Sequence, residues 1–222
     1  MMTNLFSSFD PSQNNMMSMN WISSMIYLMI LCPSLWMLPS RLNTLYNKTI
    51  IYMLMELKAI LPMNYYKSII MTLTLFMFIM LNNISGLLPY IFTSSSHMTL
   101  NLSLALPLWM MLMLFGWINK INHMFTHLVP NSTPYILMPF MVIIETISNL
   151  IRPSSLAIRL TANMIAGHLL ITLLGNNMIN SNIFMKITIM MIQTMLMMFE
   201  TGVALIQAYV FSMLSTLYIS EI

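Results

Sequence analysis

The chain has 222 residues, of which 59% are hydrophobic and only 6% charged, with a net charge of +3 and a mean hydropathy of +0.81. A soluble domain carries about a quarter charged residues, so this composition excludes a water-covered globule and requires lipid as solvent. Eight basic residues against five acidic ones on so apolar a chain mark membrane topology and do not indicate a nucleic-acid partner.

A membrane-crossing helix needs about 20 mostly apolar residues. Residues 1–20 are polar, hold Asp10 and lack the basic start of a cleavable signal peptide. The first span is expected over 21–39. It contains Cys32, the single cysteine of the chain, which reads as a small buried hydrophobe and not as a metal or disulfide site. Residues 44–61 interleave Lys48, Glu56 and Lys58 with Ile, Leu, Met and Tyr, the pattern of an amphipathic helix on a membrane surface. Spans are expected over 68–90 and 98–118. Two longer apolar stretches follow, 135–175 and 183–219, each about 60 Å as straight helix. That is about twice the hydrocarbon thickness, so they must tilt, kink or protrude. Gly175-Asn176-Asn177 reads as a helix stop and turn between them.

The expectation is therefore an all-α integral membrane protein forming a single membrane domain. It has about five spans plus one surface helix, the last two spans forming a long hairpin. Arg41, Lys48, Lys58 and Lys67 fall between the first two spans, and Lys120 follows the third. The positive-inside rule puts these residues on the inner face and the N-terminus and 93–97 loop on the outer face. The thirty methionines exceed what packing needs. They point to codon usage in an AT-rich mitochondrial genome, and the inner face is then the matrix.

The last two stretches carry nearly all the intramembrane polar groups. Glu145, Asn149, Arg152, Arg159 and Asn163 step by 4, 3, 7 and 4, which keeps them on one helical face at about 100° per residue. Pro153 interrupts this stripe and is expected to shift the face there. His168 falls on the opposite face. On the last helix Gln193, Glu200 and Gln207 recur every seven residues. Buried ionisable groups are expensive in lipid and mark ion paths. The plainer reading is that they are hydrogen-bonding glue between helices. His123 and His127 have the spacing of a metal pair but no carboxylate or cysteine nearby in sequence, so no metal site is expected. Asn-x-Ser/Thr triplets begin at Asn47, Asn83, Asn101 and Asn131, chance matches in an Asn- and Ser-rich chain. There is no Gly-rich phosphate loop, and no cofactor is expected.

Three runs resemble the a subunits of F-type ATP synthases in their mitochondrial form. The first is Met138-Pro-Phe-Met-Val-Ile-Ile-Glu145-Thr-Ile-Ser-Asn149-Leu-Ile-Arg152-Pro-Ser-Ser-Leu-Ala-Ile-Arg159-Leu-Thr-Ala-Asn163-Met-Ile-Ala-Gly167-His168. The second is Asn83-Ile-Ser-Gly86-Leu-Leu-Pro89-Tyr90, and the third is Phe199-Glu200-Thr-Gly-Val-Ala-Leu-Ile-Gln207-Ala-Tyr-Val-Phe. The resemblance implies a proton-translocating chain beside a rotating c-ring, with other membrane-sector and peripheral-stalk subunits as partners. Protons would be the transported species, and the mitochondrial inner membrane the location. It gives Arg159 the role of partner to the ring carboxylates and barrier to leak. It assigns Glu145 to the matrix half-channel, His168 and Glu200 to the outer half-channel, and Asn163 and Gln207 to support near Arg159. Nucleotide chemistry would then reside on partner subunits. The competing classes are a subunit of a redox-driven proton pump and a passive assembly protein. The first wants haem-type histidine pairs or buried lysines in several spans. The second leaves Arg159 unexplained.

Overall fold

The computed structural model describes residues 5–12, 18–25, 38–61, 66–89, 91–129, 133–179 and 181–221. Most of the expected first span, Cys32 included, lies outside them. Six helices are described: α1 (Arg41–Ile60), α2 (Tyr66–Gly86), α3 (Met98–Asn119), α4 (Ile121–Leu128), α5 (Met138–Ile179) and α6 (Ile183–Glu221). Short 3-10 turns stand at Leu5–Phe9, Met19–Ile22 and Ser94–Ser96. Among the described residues there is no strand. Four helices, α2, α3, α5 and α6, are long and apolar enough to cross a membrane.

Local chemistry sets the helix ends. Ser40 caps α1, its side chain accepting from the Asn43 N–H at 3.3 Å, and Lys58 sits in the last turn, where a cation suits the helix dipole. Pro139 falls in the first turn of α5, where its missing N–H costs nothing. Pro153 is different: it lies buried inside α5 and removes one ladder bond, yet the helix runs on through it. The helix also runs through Gly175-Asn176-Asn177 to Ile179, which corrects the expected stop. A C-terminal glycine ends a helix when it takes a left-handed conformation. Gly175 does not take one, and a side chain there would meet open space. The reversal comes later, around Ser181 and Asn182, where the Asn182 carbonyl accepts from the Lys186 N–H to begin α6.

The core lies where α2, α3, α5 and α6 meet. Phe76, Met77 and Ile79 of α2 pack with Ala105 of α3, with Leu156, Ala157 and Leu160 of α5, and with Ala208 and Phe211 of α6. In lipid there is little hydrophobic drive between helices, so close backbone approach through small residues carries the packing. Ala157, Ala204, Ala208, Ser212 and Ser215 fill that role and are all buried. Asn83 adds a polar tie, donating from Nδ2 to the Ala204 carbonyl at 3.4 Å.

Helix α1 joins this bundle through Met53 and Leu57. Leu57 clusters with Ile69 of α2 and Ile219 of α6. Thr49 and Tyr52 adjoin Leu205 and Tyr209, and Glu56 hydrogen-bonds the Tyr209 side chain. These contacts span about 21 Å of α6 at 1.5 Å per residue, so α1 is inclined along the bundle.

Candidate functional site

Two cavities with polar side chains set in mostly apolar walls lie along α5. The first, about 420 Å³, lies at the end where α3 passes through Lys120 into α4. Glu145, Asn149 and Arg152 of α5 line it, together with Trp109 and Trp117 of α3, His127 of α4 and Tyr218 of α6. Arg152 Nη2 stands 3.6 Å from Glu145 Oε1, and both side chains are about a third exposed (31% and 38%). The Arg152 guanidinium also lies over the Tyr218 ring, 5.2 Å from its centroid. The first three members of the α5 stripe are thus brought together. Tyr218 is a site residue that nothing in the charge pattern of the sequence marks. It lies eighteen residues after Glu200, five full helical turns, so it continues the α6 stripe.

The second cavity, about 510 Å³, lies between α5 and α6. Asn163 and His168 of α5 and Glu200 and Gln207 of α6 all line it. A close approach occurs at Gly167, where a Cβ would lie 2.7 Å from both Cδ and Oε1 of Glu200. Glycine at 167 is therefore what lets the Glu200 carboxyl reach the α5 backbone. His168 Nε2 and both Glu200 carboxyl oxygens are buried with no hydrogen-bond partner among the described residues. The Gly86 main chain hydrogen-bonds His168.

A third and larger cavity, about 1070 Å³, opens beside the second at the Thr93 end of the bundle. His168 and Leu87 line both, so the imidazole stands at the junction. Asp10, Asn20, Thr93, Thr172 and Gln193 are among its polar lining residues.

Arg159 lines none of these cavities. It is exposed on α5, on a face shared with Ser155, Ile158 and Ala162. Along the helix it lies seven residues beyond Arg152 and four before Asn163, about 10 Å and about 6 Å of rise. The arginine therefore stands in the gap between the two cavities. Asn163, one helical turn beyond it on α5, and Gln207 of α6 line the cavity of His168 and Glu200. The α5 stripe residues meet different surroundings at different depths, because α5 changes neighbours along its length. His123 and His127 adjoin with ring centroids 4.5 Å apart and planes tilted by 56°, and among the described residues no group of three or more His, Cys, Asp or Glu could hold a metal.

A profile of the ATP synthase A chain family matches residues 16–220. The chain is 54% identical to the ATP synthase subunit a of Locusta migratoria over 224 residues, with 100% of each covered. It is 54% identical to that of Drosophila melanogaster over 223 residues and 53% identical to that of Anopheles gambiae over 225 residues, again with 100% of each covered.

Proposed function

This chain belongs to the ATP synthase A chain family, and from that premise we propose that its cavities are two offset half-channels separated by Arg159. The family is that of the proton-translocating subunit of the membrane sector. The reading places Glu145, Asn149 and Arg152 on the matrix side, and His168 and Glu200 on the outer side with Asn163 and Gln207. The observation that carries it is the position of Arg159: exposed, with one cavity ending before it along α5 and another beginning after it.

The chemistry follows from that position. An arginine stays charged in proteins, so it does not itself carry the proton. It favours the ionised form of a carboxylate brought beside it. Its fixed charge also opposes direct proton passage from one cavity to the other. Carboxylates and histidine exchange protons and relay them. Buried polar atoms without a protein partner, such as those of His168 and Glu200, are satisfied by water, which makes the second cavity a wet path. Each proton that crosses releases about 2.3 kcal/mol per 100 mV. The exposed face around Arg159 is the surface we assign to a c-ring, each ring carboxylate taking a proton on one side and releasing it on the other. Other membrane-sector and peripheral-stalk subunits complete the assembly, and nucleotide chemistry belongs to partners. We place the chain in the mitochondrial inner membrane, with α1 entering from the matrix side and inclined along α6.

Side-specific labelling tests the offset. Single cysteines are placed at 149 and 207 in assembled complex lacking Cys32. An impermeant thiol reagent should reach 149 from the Lys120 side only and 207 from the opposite side only. Labelling of both from one side would overturn the reading.

A further inference from the structure

The outer path does not begin at His168. The cavity of about 1070 Å³ that leads to it is walled by the N-terminal segment: Ser7, Ser8, Phe9, Asp10 and Ser12 all line it. Phe9 presents its ring edge-on to His168, with centroids 6.2 Å apart. The Phe9 carbonyl accepts a hydrogen bond from His97 Nε2 at 2.9 Å. The His97 ring packs in a triangle with Trp21 and Phe92, its centroid 5.2 Å from each and theirs 5.7 Å apart. Asn20 donates to the Asp10 carbonyl at 3.2 Å, and Ser23 donates to the Phe92 carbonyl at 3.2 Å. Two hydrogen bonds and a cluster of rings thus hold residues 9 and 10 to the rim.

Asp10 is exposed and is the acidic member of the described lining. His168 is the other titratable group there, and no lysine or arginine is among the described lining residues. His97 faces the Phe9 carbonyl from behind. We propose that Asp10 is the proton-collecting residue of the outer half-channel and that His97 positions it by holding the adjoining peptide. A carboxylate at the mouth of a cleft with low-dielectric walls focuses field lines and raises the local concentration of cations. The partners that restrain residues 9 and 10 are contributed by the 93–97 loop and the Met19–Ile22 turn, so this loop and turn aim the charge at the rim. The inference rests on the half-channel reading above.

The test uses assembled ATP synthase in liposomes, with ATP synthesis measured against the pH and ionic strength of the compartment facing Asp10. Asp10→Asn should slow synthesis roughly ten-fold at alkaline pH and low salt, the lower end of electrostatic focusing by a cleft. The deficit should vanish as that compartment is acidified, because proton supply stops limiting. Raising salt should slow the parent toward the variant, since screening removes the same field. Asp10→Glu should restore the rate. His97→Ala should give the same pH-dependent deficit, smaller in size, and His97→Gln should retain the donor and spare it. Parent-like rates for Asp10→Asn at every pH, or a deficit of equal factor at every pH, would overturn the proposal, the latter because it marks a structural effect. His168→Ala run in parallel separates the two readings. If it synthesises at the parent rate, the half-channel assignment itself fails. If it is blocked while Asp10→Asn is indifferent to pH, only the role of Asp10 fails.

Discussion

Gly167→Ala should block the outer half-channel while leaving the fold intact. The added Cβ would lie 2.7 Å from Glu200 Cδ and Oε1 and 3.2 Å from its Cγ. Ordinary contact begins near 3.5 Å, so the carboxyl must withdraw by about 0.8 Å or more. The atoms in the way are the far end of a flexible side chain, so Glu200 swings aside and α5 and α6 need not separate. The stability cost then stays at or below the roughly 1–3 kcal/mol of overpacking. Alanine returns up to about 1 kcal/mol of helix propensity against it. Transfer between His168 and Glu200 suffers more, because a misplacement of about 1 Å costs on the order of a hundred-fold. The assay is ATP synthesis by assembled complex, with the amount of assembled chain measured beside it. Synthesis should fall between about ten- and a hundred-fold, with near-normal assembly. In a Glu200→Asp background, whose carboxyl is withdrawn by one methylene, the same alanine should add no further loss, a non-additivity expected only of groups in contact. Gly175→Ala, built where nothing lies within 4 Å, should change neither rate nor assembly. Parent-rate synthesis in Gly167→Ala, or full additivity with Glu200→Asp, would refute the reasoning.

Tyr218→Leu removes the ring beneath Arg152 and should lower the thermal stability of the assembled chain by about 0.5–1 kcal/mol. Tyr218→Phe keeps the ring and should not, and equal losses in the two would show that the guanidinium contact contributes nothing. For α1, cysteines replacing the exposed Lys48 and Lys58 in a chain lacking Cys32 should react with an impermeant reagent from the same side, and access from opposite sides would contradict the matrix-side placement.

The helical period made much of the site legible. Gln193, Glu200 and Gln207 repeat at seven; Glu200 and Gln207 line the second cavity and Gln193 the third, which adjoins it. Glu145, Asn149 and Arg152 were likewise readable as neighbours and do share a cavity. Three features were not readable, each for a physical reason. Gly175 carries the residue type of a helix stop but not the left-handed backbone that makes one, and residue type alone does not reveal the dihedral. Tyr218 lies on the stripe but carries no charge to mark it among the aromatics of an apolar helix. The link from Asp10 through Phe9 to His97 and His168 joins positions 88 residues apart at its His97 contact. No local periodicity encodes a contact of that range. The departure of Arg159 from both cavities was hidden for a related reason: the stripe gives a direction around α5, while the neighbours at each depth come from tertiary packing.

The most direct test of the account is ATP synthesis by assembled complex carrying Arg159→Ala or Arg159→Lys. If a fixed charge between two cavities is what couples proton flow to rotation, alanine should reduce synthesis to background. Lysine, which loses its proton when buried, should fail substantially as well. Synthesis at the parent rate in either variant would contradict the account.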